Sequence, residues 1–258
     1  MLSDKAIIDK NSKLESSVEV GPFSIIGKEV KIGNNVKILS HVVIDGDTSI
    51  SDECEIYSFA TIGSAPQDLK FKGEKTKLII GKKNIIREYV TINPGTNHGG
   101  GVTKIGNNCL FMISSHIAHD CKIGNNVIIA NNVAIAGHVE IDDNVIIGGN
   151  SAVQQFTRIG KFAMIGGMTG VEKDVIPYGL VTGNRSHLDG INIIGLKRAG
   201  YSLDEINGLN NAVKLIFSND LLKNGIEQAR KFSNFKTVSE VINFLEKSEK
   251  RPICRPLK

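Results

Sequence analysis

Residues 30–44 read VKIGNNVKILSHVVI. Large aliphatic residues stand at Ile32, Ile38 and Ile44, and β-branched residues at Val30, Val36 and Val42. The spacing is six. An amphipathic helix would return its apolar face every ~3.6 residues, and a flat strand every ~2. A coil of short strands and turns explains the period: each repeat makes one side of a narrow prism and sends one aliphatic side chain into its interior.

The step extends outward in both directions. Toward the N-terminus it meets Ile26, Val20, Leu14 and Ile8, and toward the C-terminus Ile50, Ile56 and Ile62. It resumes at Ile80, Ile86 and Ile92, then runs from Ile105 through Phe111, Ile117, Ile123 and onward to Val171. Four residues after the aliphatic positions come small or β-branched ones, among them Ser24, Thr48 and Ala60. This second inward position has little room. Cys54, Cys109 and Cys121 all occupy it, which marks them as core fillers. With Cys254 they are dispersed and form no CxxC pair, so neither a disulfide framework nor a zinc site is indicated, and a reducing compartment suits them.

The period is interrupted twice. Between Ile62 and Ile80 the sixth positions are Asp68 and Glu74, which cannot fill an apolar core, so residues 64–76 leave the coil as a loop. Between Ile92 and Ile105 the step is 13, and PGTNHGGGVT (94–103) forms a second loop. Loops on a rigid scaffold gather binding residues. The repeat ends near Pro177, and Ser202 with Glu205 three residues later reads as a capping box opening a helix. Leu209, Val213 and Ile216 line one face of it, and helical patterns recur at 221–232 and 237–250. The expected division is a coil over 1–187 and a helical domain over 188–258, of three or four helices that rest on the coil or on a neighbouring subunit.

Composition agrees. Of 258 residues, 41% are hydrophobic and 22% charged, as in soluble globular proteins. Aromatics reach only 5%, Trp is absent and Gly numbers 27, which suits thin repetitive β-structure. MLSDKAIIDK carries charges where a signal peptide needs an apolar run. No apolar run of ~18 residues exists. A cytoplasmic location is expected. From Gly195 onward there are 12 Lys/Arg against 7 Asp/Glu, while the remainder has 19 against 20. That basic tail suits a solvated helical surface or a docking face for an acidic partner. Its charges are not interleaved with aromatics, which argues against nucleic acid.

The pattern resembles the hexapeptide-repeat acyltransferases. The resemblance implies a mainly β fold, a left-handed parallel β-helix of triangular section with three hexads (about 18 residues) per turn, and a homotrimer. On that geometry His119 stacks beneath Gly137, beside His138 and in column with Gln155, at ~5 Å per coil. His116 falls at or near the adjacent corner. Three readings of SSHIAHDC (114–121) compete. The histidines are solvated turn residues; or His116, His119 and His138 are metal ligands; or His119 is a base. Zinc carbonic anhydrases of this fold use paired histidines five apart rather than three. For catalysis, imidazole is the natural base toward a hydroxyl, Asp120 or a backbone carbonyl fixes its tautomer, and the Gly137 N–H stands free to meet an oxyanion. The stacking favours catalysis, and neither metal nor cofactor is expected. Regular Thr ladders, which an ice-binding β-helix needs, are absent.

Four stretches, SSHIAHDCKIG (114–124), ANNVAIAGHVEI (130–141), IGSAPQDLKFKGE (62–74) and GINIIGLKRAG (190–200), resemble more closely the acyl-[acyl-carrier-protein]–UDP-N-acetylglucosamine O-acyltransferases, which open lipid A biosynthesis. The resemblance covers essentially the whole chain. It implies transfer of a 3-hydroxyacyl chain from acyl carrier protein to the 3-hydroxyl of UDP-N-acetylglucosamine. His119 would be the base, assisted by Asp120, with Gly137 as oxyanion donor. Gln67, Asp68, Lys70, His116 and His138 would line a cleft between subunits, Gln154 and Gln155 would join the substrate contacts, and Asn192 and Arg198 would reach the nucleotide. Basic tail residues would meet the acidic carrier protein. Gln154 stands where the family often has histidine, Ile194 where it has a glutamate near the uridine, and TINPGT (91–96) lacks a basic residue common in relatives. Gly167, with Gly149 one coil earlier, holds the position of an acyl-length ruler, and glycine there favours a longer chain. The pathway's later N-acyltransferase normally has an added N-terminal uridine-binding domain, and a repeat starting at Ile8 leaves no room for one.

Overall fold

The computed structural model describes residues 1–219, 221–247 and 251–257. Strands of mostly two residues stack into three sheets. The first face runs from Ile7–Ile8 to Gly170–Val171, the second from Lys13–Leu14 to Arg158–Ile159 and the third from Glu19–Val20 to Gly179–Thr182. Pairing is parallel and joins residues 18 apart, as in Ile7↔Ile25, Ile25↔Val43 and Val43↔Thr61. On the first face two registers depart from this, and at the end of the third face Met164 pairs with Leu180, 16 on. Thr61 pairs with Thr91, 30 residues on, and Thr91 with His116, 25 on. The first loop thus adds 12 residues to its coil and the second adds 7, while the ladder continues unbroken past both.

The six-residue period is a burial pattern. Lys31 is exposed and Ile32 buried, Lys37 exposed and Ile38 buried. The small inward positions Val30, Val36, Val42, Thr48, Cys54 and Ala60 are sealed from solvent. Each coil's N–H groups donate to carbonyls of the next, for example Ile25 N to Val42 O at 2.8 Å. All four cysteines are free and buried, and burial pushes the Cys109 thiol up to about 11 and Cys121 to about 12.

The corner chemistry explains the recurring Gly-Asn-Asn. Asn35, Asn108, Asn126 and Asn144 take left-handed φ of +56° to +61°, which asparagine tolerates through local hydrogen bonding. The residue before each is a rung. Asn107 N donates to Asn125 Oδ1 at 2.9 Å, and Asn125 N to Asp143 Oδ1 at 2.6 Å. Another corner carries a stack of Phe23, His41, Phe59 and Tyr89 with centroids 5.0, 5.0 and 5.1 Å apart.

His187–Ile191 closes the third face by pairing antiparallel with Gly179–Thr182. The division expected at 187/188 thus meets the first residue of this strand, and the helices begin at Ile193. They are α1 (Ile193–Arg198), α2 (Leu203–Ser218), α3 (Leu222–Ala229) and α4 (Lys236–Glu246). The part of the helical pattern on 248–250 lies outside the described residues. Leu196, Leu209, Val213, Ile216, Val241 and Leu245 join one continuous core with the coil. The Tyr178 hydroxyl donates to Glu240, and Arg158 lies 4.4 Å over the Phe244 ring. The capping box is half realised. Ser202 Oγ accepts from Glu205 N at 3.1 Å, but the Glu205 carboxylate accepts instead from Thr237 N at 3.0 Å and Thr237 Oγ1 at 2.8 Å. The N-cap position of α4 is Phe235, whose side chain cannot cap, so Glu205 satisfies an orphan N–H there rather than on its own helix. The C-terminal segment returns to the coil, with Ile253 bridging Asp174 and Leu188 N donating to Arg255 O at 2.9 Å.

Candidate active site

The corner after His116–Ile117 leads from the first face to the second, at Lys122–Ile123. Asp120 turns it with φ +60°, and its backbone N–H donates to Thr103 Oγ1 at 2.7 Å. The carboxylate is wholly buried. Oδ2 meets His119 Nδ1 at 2.8 Å and accepts from Thr96 Oγ1 at 2.7 Å, while Oδ1 accepts from Thr96 N at 2.9 Å. A carboxylate only accepts, so Nδ1 of His119 carries the proton and Nε2 is left as an acceptor. His119 keeps 16% of its side chain exposed, so this acceptor is reachable.

One coil on, Gly137 faces that ring. A Cβ there would lie 2.6 Å from His119 Cε1 and 2.8 Å from Nε2, so the imidazole fits only because the position is glycine. The Gly137 N–H has no acceptor among the described residues. His138 N donates to His119 O at 3.0 Å. The His138 ring meets His119 edge-on at 5.0 Å and stacks on Phe156 at 4.4 Å. Burial holds His138 below its ordinary value, opposed by the charges of Asp120 and Asp68.

His116 opens its strand on the flat first face. Its Nδ1 pairs with Thr91 Oγ1 at 2.7 Å, and burial, aided by His119, lowers its pKa. Asp68, on the first loop, is held below the usual carboxylate range by the Lys70 backbone N–H, with smaller help from His119, Lys70 and His98. The second loop reaches the histidine corner through Thr96, and Asn97 N of that loop donates to Glu74 Oε1 of the first at 3.5 Å. Gln67 and Lys70 are exposed on the first loop, and Gln154 and Gln155 are exposed on the coil above Gly137.

Other expected contacts are not assembled within one chain. The Asn192 side chain is an N-cap: Oδ1 accepts from Gly195 N at 3.0 Å and Nδ2 donates to Phe162 O at 2.9 Å. Arg198 is exposed at the end of α1. Gly149 and Gly167 stack, with a Cβ on Gly167 falling 3.3 Å from Gly149 O, but on the corner where the third face meets the first. The base and these glycines thus flank the first face on opposite edges.

His119, Asp120 and His138 place ligand atoms within 4.8 Å of one another, and this is the trio with metal-site spacing, not His116, His119 and His138. Asp120 of that trio already accepts three hydrogen bonds within the protein. A concavity of about 440 Å³ lies beneath α4, lined by Arg158, Lys161, Glu240 and Phe244 among others, and holds no histidine. Two ion pairs cross or border it, Lys161 with Glu240 and Arg158 with Asp174. It is a seam between coil and helices.

Thr91, Thr96, Thr103, Gly99 and Phe156 join the site without having been singled out in the sequence. Thr103 gave a signal, because it fills a small inward position where a buried hydroxyl must find a partner. Thr96 gave none, since no periodicity sets the path of its loop. Among the described residues no helix is long and apolar enough to cross a membrane.

Comparison with known proteins gives the family. Residues 174–254 match the family described as Udp N-acetylglucosamine O-acyltransferase, Domain 2, and residues 103–137 match the bacterial transferase hexapeptide repeats. Curated proteins named acyl-[acyl-carrier-protein]–UDP-N-acetylglucosamine O-acyltransferase are similar at nearly full length. That of Rickettsia typhi is 54% identical, over 96% of this chain and 95% of its own. That of Caulobacter vibrioides is 46% identical, over 97% and 96%. The solved structure of UDP-N-acetylglucosamine O-acyltransferase (LpxA) from Moraxella catarrhalis superposes with TM-score 0.95 at 40% identity, covering 98% of this chain and 99% of that one. With these relatives the coil shares its left-handed sense. The chain belongs to the UDP-N-acetylglucosamine O-acyltransferase family of hexapeptide-repeat enzymes.

Proposed function

We propose that this chain moves a 3-hydroxyacyl group from an acyl carrier protein thioester to the 3-hydroxyl of the sugar of UDP-N-acetylglucosamine, the first step of lipid A biosynthesis, with His119 as general base. The observation that carries the reading is the imidazole held between Asp120 at Nδ1 and Gly137 near Nε2. Nε2 takes the proton of the 3-hydroxyl while the sugar oxygen attacks the thioester carbon. The carbonyl becomes an oxyanion, and the Gly137 N–H donates to it. The C–S bond then breaks, and the leaving sulfur takes the proton from the imidazolium. Asp120 orients His119 and offsets its transient charge.

Asp68 and His138, coupled electrostatically to the corner, line the sugar-nucleotide cleft with Gln67, Lys70, His116, Gln154 and Gln155. Asn192 and Arg198 contact the nucleotide, and Gly149 and Gly167 accommodate the acyl chain. Because one chain separates these groups, the reading requires the homotrimer, with each site between subunits. The helical domain, basic as counted from Gly195, faces the acidic carrier protein in the cytoplasm, and nucleic acid has no part.

An acyl-transfer assay with UDP-N-acetylglucosamine and a panel of 3-hydroxyacyl carrier proteins tests the reaction. Product from at least one donor is expected, and no product from any donor would sink it. His119→Ala should lower turnover by about 10²–10⁴-fold in a protein that still folds.

A further inference from the structure

The second loop acts on the base without touching it. Thr96 is 1% exposed and gives both its donors to Asp120, N–H to Oδ1 at 2.9 Å and Oγ1–H to Oδ2 at 2.7 Å. Its carbonyl accepts from Gly99 N at 3.0 Å and Gly101 N at 2.8 Å, which closes the loop over the corner. The closure is tight. A Cβ on Gly99 would lie 2.0 Å from Asp120 Cγ, so no other residue fits there without lifting the loop. The carboxylate therefore has no solvent contact, and its direction toward His119 Nδ1 is set by two hydrogen bonds on known atoms.

We infer that Thr96 is a positioning residue, which fixes the plane of the Asp120 carboxylate and so aims His119 Nε2. The inference rests on the reading of His119 as base. Two separately anchored oxygens cannot rotate together, so the hydrogen bond at Nδ1 keeps one direction and the ring one orientation. Removing the Thr96 hydroxyl frees Oδ2 of one donor and lets the carboxylate turn, while the loop's backbone contacts survive. Thr96 is shielded from solvent, so the effect falls on turnover rather than on substrate binding.

Steady-state kinetics on the full-length protein test this, with thermal unfolding to confirm that each variant folds. Thr96→Val should lower kcat about 10- to 100-fold, as expected for a lost hydrogen bond to a charged group, with KM for UDP-N-acetylglucosamine within about 3-fold. Thr96→Ser, which keeps the hydroxyl, should restore most of kcat. In an Asp120→Ala background, Thr96→Val should change kcat by less than about 3-fold, because coupled residues are not additive. An inactive His119→Ala beside a Thr96→Val of near-normal kcat overturns this inference alone. Equal loss in the Val and Ser variants, or an undiminished effect in the Asp120→Ala background, also overturns it, since either means a merely structural role. A fully active His119→Ala overturns the base reading itself.

Discussion

Gly137→Ala isolates the position of the base from every other part of the site. The added Cβ would stand 2.6 Å from His119 Cε1, whereas an ordinary contact is 3.4–4 Å, so the ring must retreat by about 1 Å. The backbone N–H is retained, and so is every side chain. Gly137 does not have a left-handed φ, so alanine suits the backbone, and the strain falls on the His119 ring rather than on the main chain. The ring has an outward path, since 16% of the side chain is exposed, and the fold should not suffer. Displacement of a reacting group by about 1 Å costs on the order of 10²-fold in rate. Gly137→Ala should therefore melt like the parent and lose about 100-fold in kcat, measured by product formation at saturating donor and acceptor. A kcat within about 3-fold of the parent would refute the placement of Nε2 as the proton acceptor.

Other perturbations reach further. Phe111 is fully buried in the narrow prism, and Phe111→Ala should destabilise by about 3–5 kcal/mol, read by chemical denaturation. The thiols are buried, with Cys109 at about 11 and Cys121 at about 12, so an alkylating reagent at pH 8 should label them only after unfolding; rapid labelling of the native protein would contradict the packing. The folded pKa of His116 lies below its ordinary 6.5 because of burial. Between that lowered value and 6.5 the unfolded chain binds the proton more readily, so this contribution to stability is present above 6.5 and is lost as the pH falls through the window. Denaturation at pH 5 and pH 7 should show a smaller difference for His116→Gln than for the parent.

The histidine corner was legible in the sequence to an unequal degree. His119 beneath Gly137 and beside His138 follows from the coil length, because stacking in a parallel ladder is a matter of counting. The inward cysteines follow for the same reason. The role of 94–103 did not follow. The loop is irregular and lies outside the period, yet its Thr96 supplies two of the three hydrogen bonds that Asp120 accepts. Glu205 shows the same limit: the spacing from Ser202 was read correctly, but the carboxylate found a needier donor on α4. Asn192 is a further case: the sequence did not show that its amide also caps α1, accepting from Gly195 N and donating to Phe162 O.

The sequence by itself determined a coil of six-residue repeats and its two ejected loops, because neither a helix nor a flat strand buries aliphatic residues at that spacing; the 18-residue turn that stacks His119 beneath Gly137 was implied by the family resemblance and is seen in the strand registers. Only the tertiary structure decided which groups complete the site. The loop closing over Asp120 depends on contacts between residues 24 apart, Thr96 and Asp120, that no repeat encodes.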